Sequence, residues 1–114
     1  MNNIRRICFA CVALLLAAPL SAAERWQIST VKFVYPLANG DFVIGLDSDS
    51  SFCTSTSSPN KYYHVLVGQY GVTAEGSNKM YAAAMLALAT RQTLSLAFDD
   101  GTAYCYVNRL NVSN

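Results

Sequence analysis

Few side chains in this sequence could carry out covalent chemistry, and they do not form a catalytic motif. His64 is the only histidine among 114 residues, so a metal site or a catalytic group built on two histidines is excluded. Asp99 and Asp100 are neighbours whose side chains point apart in an extended chain. The serines between residues 48 and 58 lack the G-x-S-x-G pattern of a hydrolase. The sequence therefore predicts a protein that is not an enzyme and that holds neither a metal nor a cofactor.

Calcium is the alternative that the acidic, serine-rich middle of the chain raises. Asp47, Asp49 and Ser51 have the first three spacings of an EF-hand loop. The sixth position, however, is Phe52 where glycine is needed, and the twelfth is Ser58 where a bidentate glutamate is needed. The pattern favours a solvated loop over a calcium site.

Tyrosines give a stronger indication, and it is one of binding. Aromatic rings next to serine, threonine, asparagine and aspartate offer a sugar both a stacking surface and hydrogen-bonding groups. The alternative is that most of these rings form cross-strand pairs or belong to the core. The residues that we predict to contact a ligand are Tyr62, Tyr63, Tyr104 and Tyr106.

The N-terminal segment resembles a cleavable signal peptide. A basic start precedes an apolar run over residues 7–18, which is shorter than the roughly 20 residues of a spanning helix, although a membrane anchor is the competing interpretation. Small residues then fit cleavage before Glu24. We predict a signal peptide over residues 1–23, one domain over residues 24–114, a periplasmic or secreted location, and no membrane anchor after cleavage.

The mature domain is nearly neutral and retains two cysteines. Six basic residues stand against seven acidic ones after residue 23, which excludes the clustered positive charge that nucleic acid requires. In an exported chain, Cys53 and Cys105 are expected to form a disulfide, with two free buried thiols as the alternative. Closing a loop of 52 residues would stabilise the fold by roughly 4 kcal/mol.

The hydrophobic pattern predicts five strands and one helix in the order β-β-β-α-β-β. This β-rich order is that of an OB-fold, a five-stranded Greek-key barrel, and also that of an open sheet covered by one helix. We favour the barrel because closure removes exposed strand edges. A loop over residues 47–60, pinned by Cys53, and a tight turn at residues 99–101 complete the pattern. Alternation places Val31, Phe33 and Tyr35 on one face of the first strand, and Gly45 indicates a bulge or sharp bend in the second. The predicted strands are Arg25–Tyr35, Phe42–Leu46, Lys61–Gln69, Thr93–Phe98 and Ala103–Val112.

The predicted helix, Met80–Ala89, is rich in alanine, and Ser77 or Asn78 can cap it, with Arg91 at the negative pole of its dipole. Its other side carries almost no charge, so either a homo-oligomer packs there or alanine was selected for helix propensity. The residues of the predicted buried stripe are Tyr81, Ala84, Met85 and Leu88, and those of the opposite side are Ala82, Ala83, Leu86 and Ala87.

Short motifs around the helix are similar to those of a known family. These are Phe52-Cys53, Tyr81 with Ala84, and Thr90-x-Gln92 leading into the strand that ends at Phe98. They resemble the receptor-binding B subunits of the subtilase-cytotoxin and typhoid-toxin type, within the pertussis-like AB5 toxins, and also suggest small exported bacterial proteins that share this layout. The resemblance implies an OB-fold, a ring of five subunits and binding of host-cell glycans.

The sequence thus predicts an exported domain that acts by binding a glycan or a protein. The alternative is a periplasmic inhibitor or accessory protein of an enzyme, which would act through the loop over residues 47–60. A third interpretation is a small secreted protein without a toxin partner.

Overall fold

The computed structural model describes residues 22–114, and the predicted signal peptide lies outside the described residues except for Ala22 and Ala23. Five strands and one helix follow in the predicted order, which confirms the β-rich fold class. No helix within residues 22–114 has the length and apolar character needed to cross a membrane. The elements are β1 (Glu24–Pro36), β2 (Phe42–Leu46), β3 (Tyr63–Val65), α1 (Ala74–Thr90), β4 (Thr93–Asp99) and β5 (Val107–Ser113).

All five strands belong to one antiparallel sheet with the order β3-β2-β1-β4-β5. The long strand β1 is central because its first half pairs with β4 and its second half with β2. At the two ends of this order, the backbone N–H of His64 in β3 donates a hydrogen bond of 3.2 Å to the carbonyl of Tyr104, just before β5. The described residues form no ladder between β3 and β5, so closure into a barrel stays a prediction.

A bulge in β1 changes which side chains face the core. Val31 pairs with Leu46 and Phe33 with Gly45, so the ladder shifts by one residue between them. Val31 is buried, whereas the rings of Phe33 and Tyr35 pack against Tyr62. The expectation that Val31, Phe33 and Tyr35 share one face is therefore wrong, because an extra residue reverses the alternation.

Gly45 allows the Phe33 ring to lie directly over β2. A Cβ at this position would overlap the ring, so only glycine fits beneath it. The sequence predicted a bulge or bend at Gly45 itself. The irregularity instead lies opposite, in β1.

The helix begins one turn earlier than predicted. Thr73 is the N-cap, and its Oγ1 accepts a hydrogen bond of 3.0 Å from the backbone N–H of Gly76. Ser77, one of the two predicted caps, is buried, and its hydroxyl donates to the carbonyl of Gly40 at 3.3 Å. At the other end Arg91 is the C-cap in the left-handed conformation, with φ of 58°.

Small side chains face the sheet from the helix. Ala84 and Ala87 are completely buried, which lets the helix backbone approach the strands closely. The predicted stripe is wrong at Met85, which is 37% exposed, and the predicted outer side is wrong at Ala87. Leu86 is 52% exposed beside Met85. The helix residues that pack partly buried against the core are Met80, Tyr81 and Leu88.

The predicted third and fifth strands are longer than the observed β3 and β5. The tight turn predicted at residues 99–101 is part of a longer connector over residues 100–106. Cys105 lies in this connector and adopts a left-handed backbone conformation with φ of 46°, which interrupts the extended run that the sequence suggested.

The predicted disulfide is confirmed. Cys53 and Cys105 are bonded with their Cα atoms 5.7 Å apart and are separated by 52 residues. Both are buried. The bond joins the loop over residues 47–62 to the connector over residues 100–106.

Replacing both cysteines should lower the stability of the fold. We expect the Cys53→Ala/Cys105→Ala variant to lose roughly 4 kcal/mol of unfolding free energy, because the unfolded chain regains the entropy that the cross-link removes. Urea unfolding followed by tryptophan fluorescence measures the loss. The oxidised wild type, unfolded with and without reductant, is the control. Equal midpoints in all three samples would show that the bond contributes nothing.

Candidate ligand-binding groove

Six rings lie in contact over the outer surface of the sheet, and we call them the aromatic row. Two of them meet the same third ring, from which the others continue in series; the centroids of the contacting pairs lie between 5.3 and 6.4 Å apart, and most pairs meet edge to face. Aromatic pairs favour such spacings, so each ring restricts the next. The row consists of Phe33, Tyr35, Tyr62, His64, Tyr104 and Tyr106.

Strand alternation and the β1 bulge position one half of the row. In and beside β3, Tyr63 and Val65 point into the core, so Tyr62 and His64 point outward. Tyr62 then meets the ring of Phe33 at 5.7 Å and that of Tyr35 at 6.4 Å. The bulge therefore places two rings of β1 beside Tyr62.

The connector before β5 positions the other half. The left-handed conformation of Cys105 lies between Tyr104 and Tyr106. The two tyrosine rings are stacked, with centroids 5.3 Å apart and planes 9° from parallel. Tyr104 is 52% exposed, so one face of the stack is open to solvent. His64 meets the Tyr104 ring at 5.3 Å and joins the two halves.

A groove of about 350 Å³ opens beside the row, and we call it the tyrosine groove. One wall follows Cys53 by two to four residues, and the other immediately precedes Cys105, so the disulfide holds both walls. The lining residues are Ser55, Thr56, Ser57, Tyr62, His64, Ala103 and Tyr104.

The serine-rich wall supplies polar groups to the tyrosine groove. Ser55 Oγ accepts hydrogen bonds from the backbone N–H of Tyr62 at 3.1 Å and of Ser57 at 3.4 Å. These bonds fold the wall against the aromatic row and leave the Ser55 hydroxyl proton for another acceptor. Thr56 and Ser57 add two further hydroxyls to the lining. The groove therefore combines stacking surfaces with hydroxyl donors and acceptors.

The structure separates the four predicted binding tyrosines. Tyr62 and Tyr104 line the groove, and Tyr106 stacks behind Tyr104. Tyr63 is 0% exposed and belongs to the core, where its hydroxyl accepts a hydrogen bond of 2.8 Å from Ser50 N. The inclusion of Tyr63 is corrected on this ground: neighbouring residues of a strand face opposite sides, so Tyr62 and Tyr63 cannot share a surface.

Sequence reasoning missed His64 and the three lining residues of the serine-rich wall. The alternation of the third strand carried a signal for His64, because it shares a face with Tyr62. For Ser55 to Ser57 no local pattern existed, since their place depends on the disulfide and on contacts with a distant strand.

Charged groups lie outside the groove and mostly form pairs. Arg25 contacts Asp100 at 2.9 Å, Arg91 contacts Asp47 at 3.5 Å, and Arg109 pairs with Glu24. Hydrogen bonds from the backbone N–H of Ala23 and from Arg25 hold the pKa of Asp100 below its ordinary value. Within residues 22–114, no three acidic, histidine or cysteine side chains group into a metal site.

A second, smaller depression of about 290 Å³ lies between the β1–β2 turn and the start of the helix. Tyr81 and Asn78 line it from the helix, and Asp41 lines it from the turn. Asp41 Oδ1 already accepts a hydrogen bond of 2.9 Å from Val67 N, so this carboxylate has a structural role.

Comparison of the chain with protein-family models, with curated proteins and with solved structures yields no match. The resemblance to AB5 toxin B subunits therefore stays a prediction.

Burial of Tyr63 gives the stability of the fold a measurable pH dependence. Loss of solvation raises the pKa of Tyr63 to about 12, whereas burial and then Glu24 raise that of Tyr70. Because the pKa of Tyr63 is higher in the folded than in the unfolded protein, the stabilisation by the neutral phenol is complete below pH 10 and is lost as the pH rises toward 12. We expect the fold to lose on the order of 2–3 kcal/mol over this interval.

Ultraviolet titration at 295 nm, combined with urea unfolding at each pH, measures this effect. The Tyr63→Phe variant should lack the last-titrating phenol and show a smaller alkaline loss. Tyr81→Phe is the control and should keep both the last-titrating phenol and the full loss of stability at alkaline pH. An unchanged late phase in Tyr63→Phe would assign that phase to another tyrosine.

Proposed function

We propose that this protein is an exported, non-enzymatic binding domain whose ligand is a glycan held in the tyrosine groove. The observation that supports this most directly is the juxtaposition of open tyrosine faces with the hydroxyl-rich wall in one groove. The disulfide is compatible with a periplasmic or secreted location, because such bonds persist in oxidising compartments.

The physical chemistry of a sugar fits these surfaces. A pyranose ring has an apolar C–H face that packs on an aromatic ring, and its hydroxyls need partners when they leave water. Tyr62 and Tyr104 offer the rings, and Ser55 to Ser57 offer the partners. The volume of about 350 Å³ is at the lower end of the range of small-molecule sites, about 300–1,000 Å³. One or two sugar units are therefore the expected occupant.

The alternative is an inhibitor or accessory protein that binds another protein through the loop over residues 47–60. One observation favours it. Phe52 in this loop is 50% exposed, with the guanidinium of Arg25 lying 3.9 Å from its ring centroid. An exposed aromatic ring held by an arginine is typical of a contact residue in a protein interface.

Removing one ring of the tyrosine groove should weaken glycan binding. We expect Tyr62→Ala and Tyr104→Ala each to lose about tenfold or more in affinity, because a stacked ring contributes on the order of 1.5 kcal/mol. A glycan array with the mature protein finds the ligand, and calorimetry with the best array ligand measures the change. Tyr104→Phe keeps the stacking ring and should retain most of the affinity.

Phe52→Ala is the matched control, because Phe52 is about as exposed as Tyr104 and lies outside the groove lining. It should bind glycan normally. Glycan binding that survives both groove variants would place the ligand elsewhere. If no glycan binds and Phe52→Ala abolishes capture of a protein partner, the alternative replaces our proposal.

Self-association through the helix would suit such a function. A single small sugar site binds weakly, and several sites on one assembly raise the avidity. Met85 and Leu86 are exposed side by side on α1, with the small residues Ala82 and Ala89 also exposed on this helix. We propose that this surface, defined by those four residues, packs against another copy.

A charge within the helix surface should prevent association. We expect wild-type protein to sediment as an oligomer at high concentration and Leu86→Lys to sediment as a monomer, because burying an unpaired ammonium is costly. Asn111→Lys adds the same charge at an exposed position of β5, on the side of the strand opposite to Val112, which packs against the core, and should leave the oligomer intact. A monomeric wild type at high concentration would exclude the assembly.

A further inference from the structure

We infer, on the basis of the proposed function, that the tyrosine groove selects uncharged glycans and that His64 determines this specificity by accepting a hydrogen bond from a sugar hydroxyl at Nε2. The inference rests on the hydrogen bond that fixes the histidine tautomer and on the charge of the groove.

The protein backbone fixes the tautomer of neutral His64. Its ring Nδ1 lies 2.7 Å from the carbonyl oxygen of Tyr104, which also accepts the backbone N–H of His64 at 3.2 Å. A carbonyl oxygen only accepts hydrogen bonds, so Nδ1 must carry the proton. In the neutral ring Nε2 is then an acceptor. The described residues provide Nε2 with no hydrogen-bond donor, which leaves it for a ligand.

Neighbouring rings hold this acceptor in place. The His64 ring lies between Tyr62, with centroids 6.0 Å apart, and Tyr104, with centroids 5.3 Å apart. Both tyrosines line the groove with His64. A sugar that stacks on either tyrosine ring thus brings its hydroxyls near the imidazole edge. Stacking and the directional acceptor are therefore parts of one site.

The groove provides no cation for an acidic sugar. Apart from the imidazole, its lining side chains are hydroxyls, phenols and one methyl group. Lys61, the nearest lysine in sequence to Tyr62, donates its Nζ to the carbonyl of Ser50 at 2.8 Å. A carboxylate that entered the groove would lose hydration without gaining an ion pair, which is unfavourable. An uncharged glycan has no such penalty.

Two variants of His64 distinguish the acceptor atom Nε2 from the hydrogen bond that Nδ1 donates to the Tyr104 carbonyl. His64→Asn keeps an amide that can donate to the Tyr104 carbonyl but has no atom at the Nε2 position. His64→Gln places an amide oxygen near the Nε2 position. We expect His64→Asn to bind the best neutral array glycan about fivefold to tenfold more weakly, as the loss of one hydrogen bond implies. His64→Gln should recover part of this loss.

The ligands for the test are array glycans in matched pairs that differ only by a terminal sialic acid. We expect the neutral member of each pair to bind more tightly. Long-range proton–nitrogen NMR of the imidazole at neutral pH reports the tautomer independently of any ligand. It should show a protonated Nδ1.

Each outcome bears on a different statement. A preference for the sialylated members, undiminished binding by His64→Asn, or a protonated Nε2 in the neutral ring would overturn the inference about His64 while leaving glycan binding intact. If no glycan of either kind binds, the proposed function fails and this inference fails with it. Melting temperatures of both variants close to that of the wild type exclude unfolding as the cause of lost binding.

Discussion

The disulfide between Cys53 and Cys105 is the constraint on which the tyrosine groove, the candidate binding surface of this protein, depends. It joins two irregular segments that the sheet alone would leave unconnected, the serine-rich loop and the connector before β5. Few hydrophobic side chains of those segments are buried, so regular packing would hold them weakly. The same bond positions Tyr104 against His64 and the serine-rich wall against Tyr62. The disulfide thus contributes both to the stability of the fold and to the shape of the groove.

The bent central strand supplies the other half of the architecture. β1 pairs with β4 along its first half and with β2 along its second, and the bulge lies just after this change of partner. The bulge also sends Phe33 outward over Gly45, where a larger residue would not fit. The aromatic row is consequently a product of sheet geometry, whereas Tyr63 lies in the core and packs edge to face against Phe98.

The helix contributes to the core, whereas the groove is a feature of the surface. Ala84 and Ala87 let α1 approach the sheet closely and complete the core, while Met85 and Leu86 remain at the surface. The groove, in contrast, is lined by oriented rings and hydroxyls. A site of this kind gains specificity from direction more than from area. The unshared Nε2 of His64 is its most directional group.

Much of the fold was predictable because its determinants are local. Alternation gave β2 with its observed bounds, element order followed from it, and the chemistry of exported thiols gave the disulfide. The helix begins earlier than the sequence predicted because Gly76 lies within its first turn, and glycine disfavours a helix on propensity alone. By itself, then, the sequence determined the β-rich class, the order of elements and the covalent link. Only the tertiary structure decided which tyrosines line the groove, because His64 and Tyr104 are 40 residues apart in sequence and meet through the Tyr104 carbonyl, which is hydrogen-bonded to both the ring and the backbone N–H of His64.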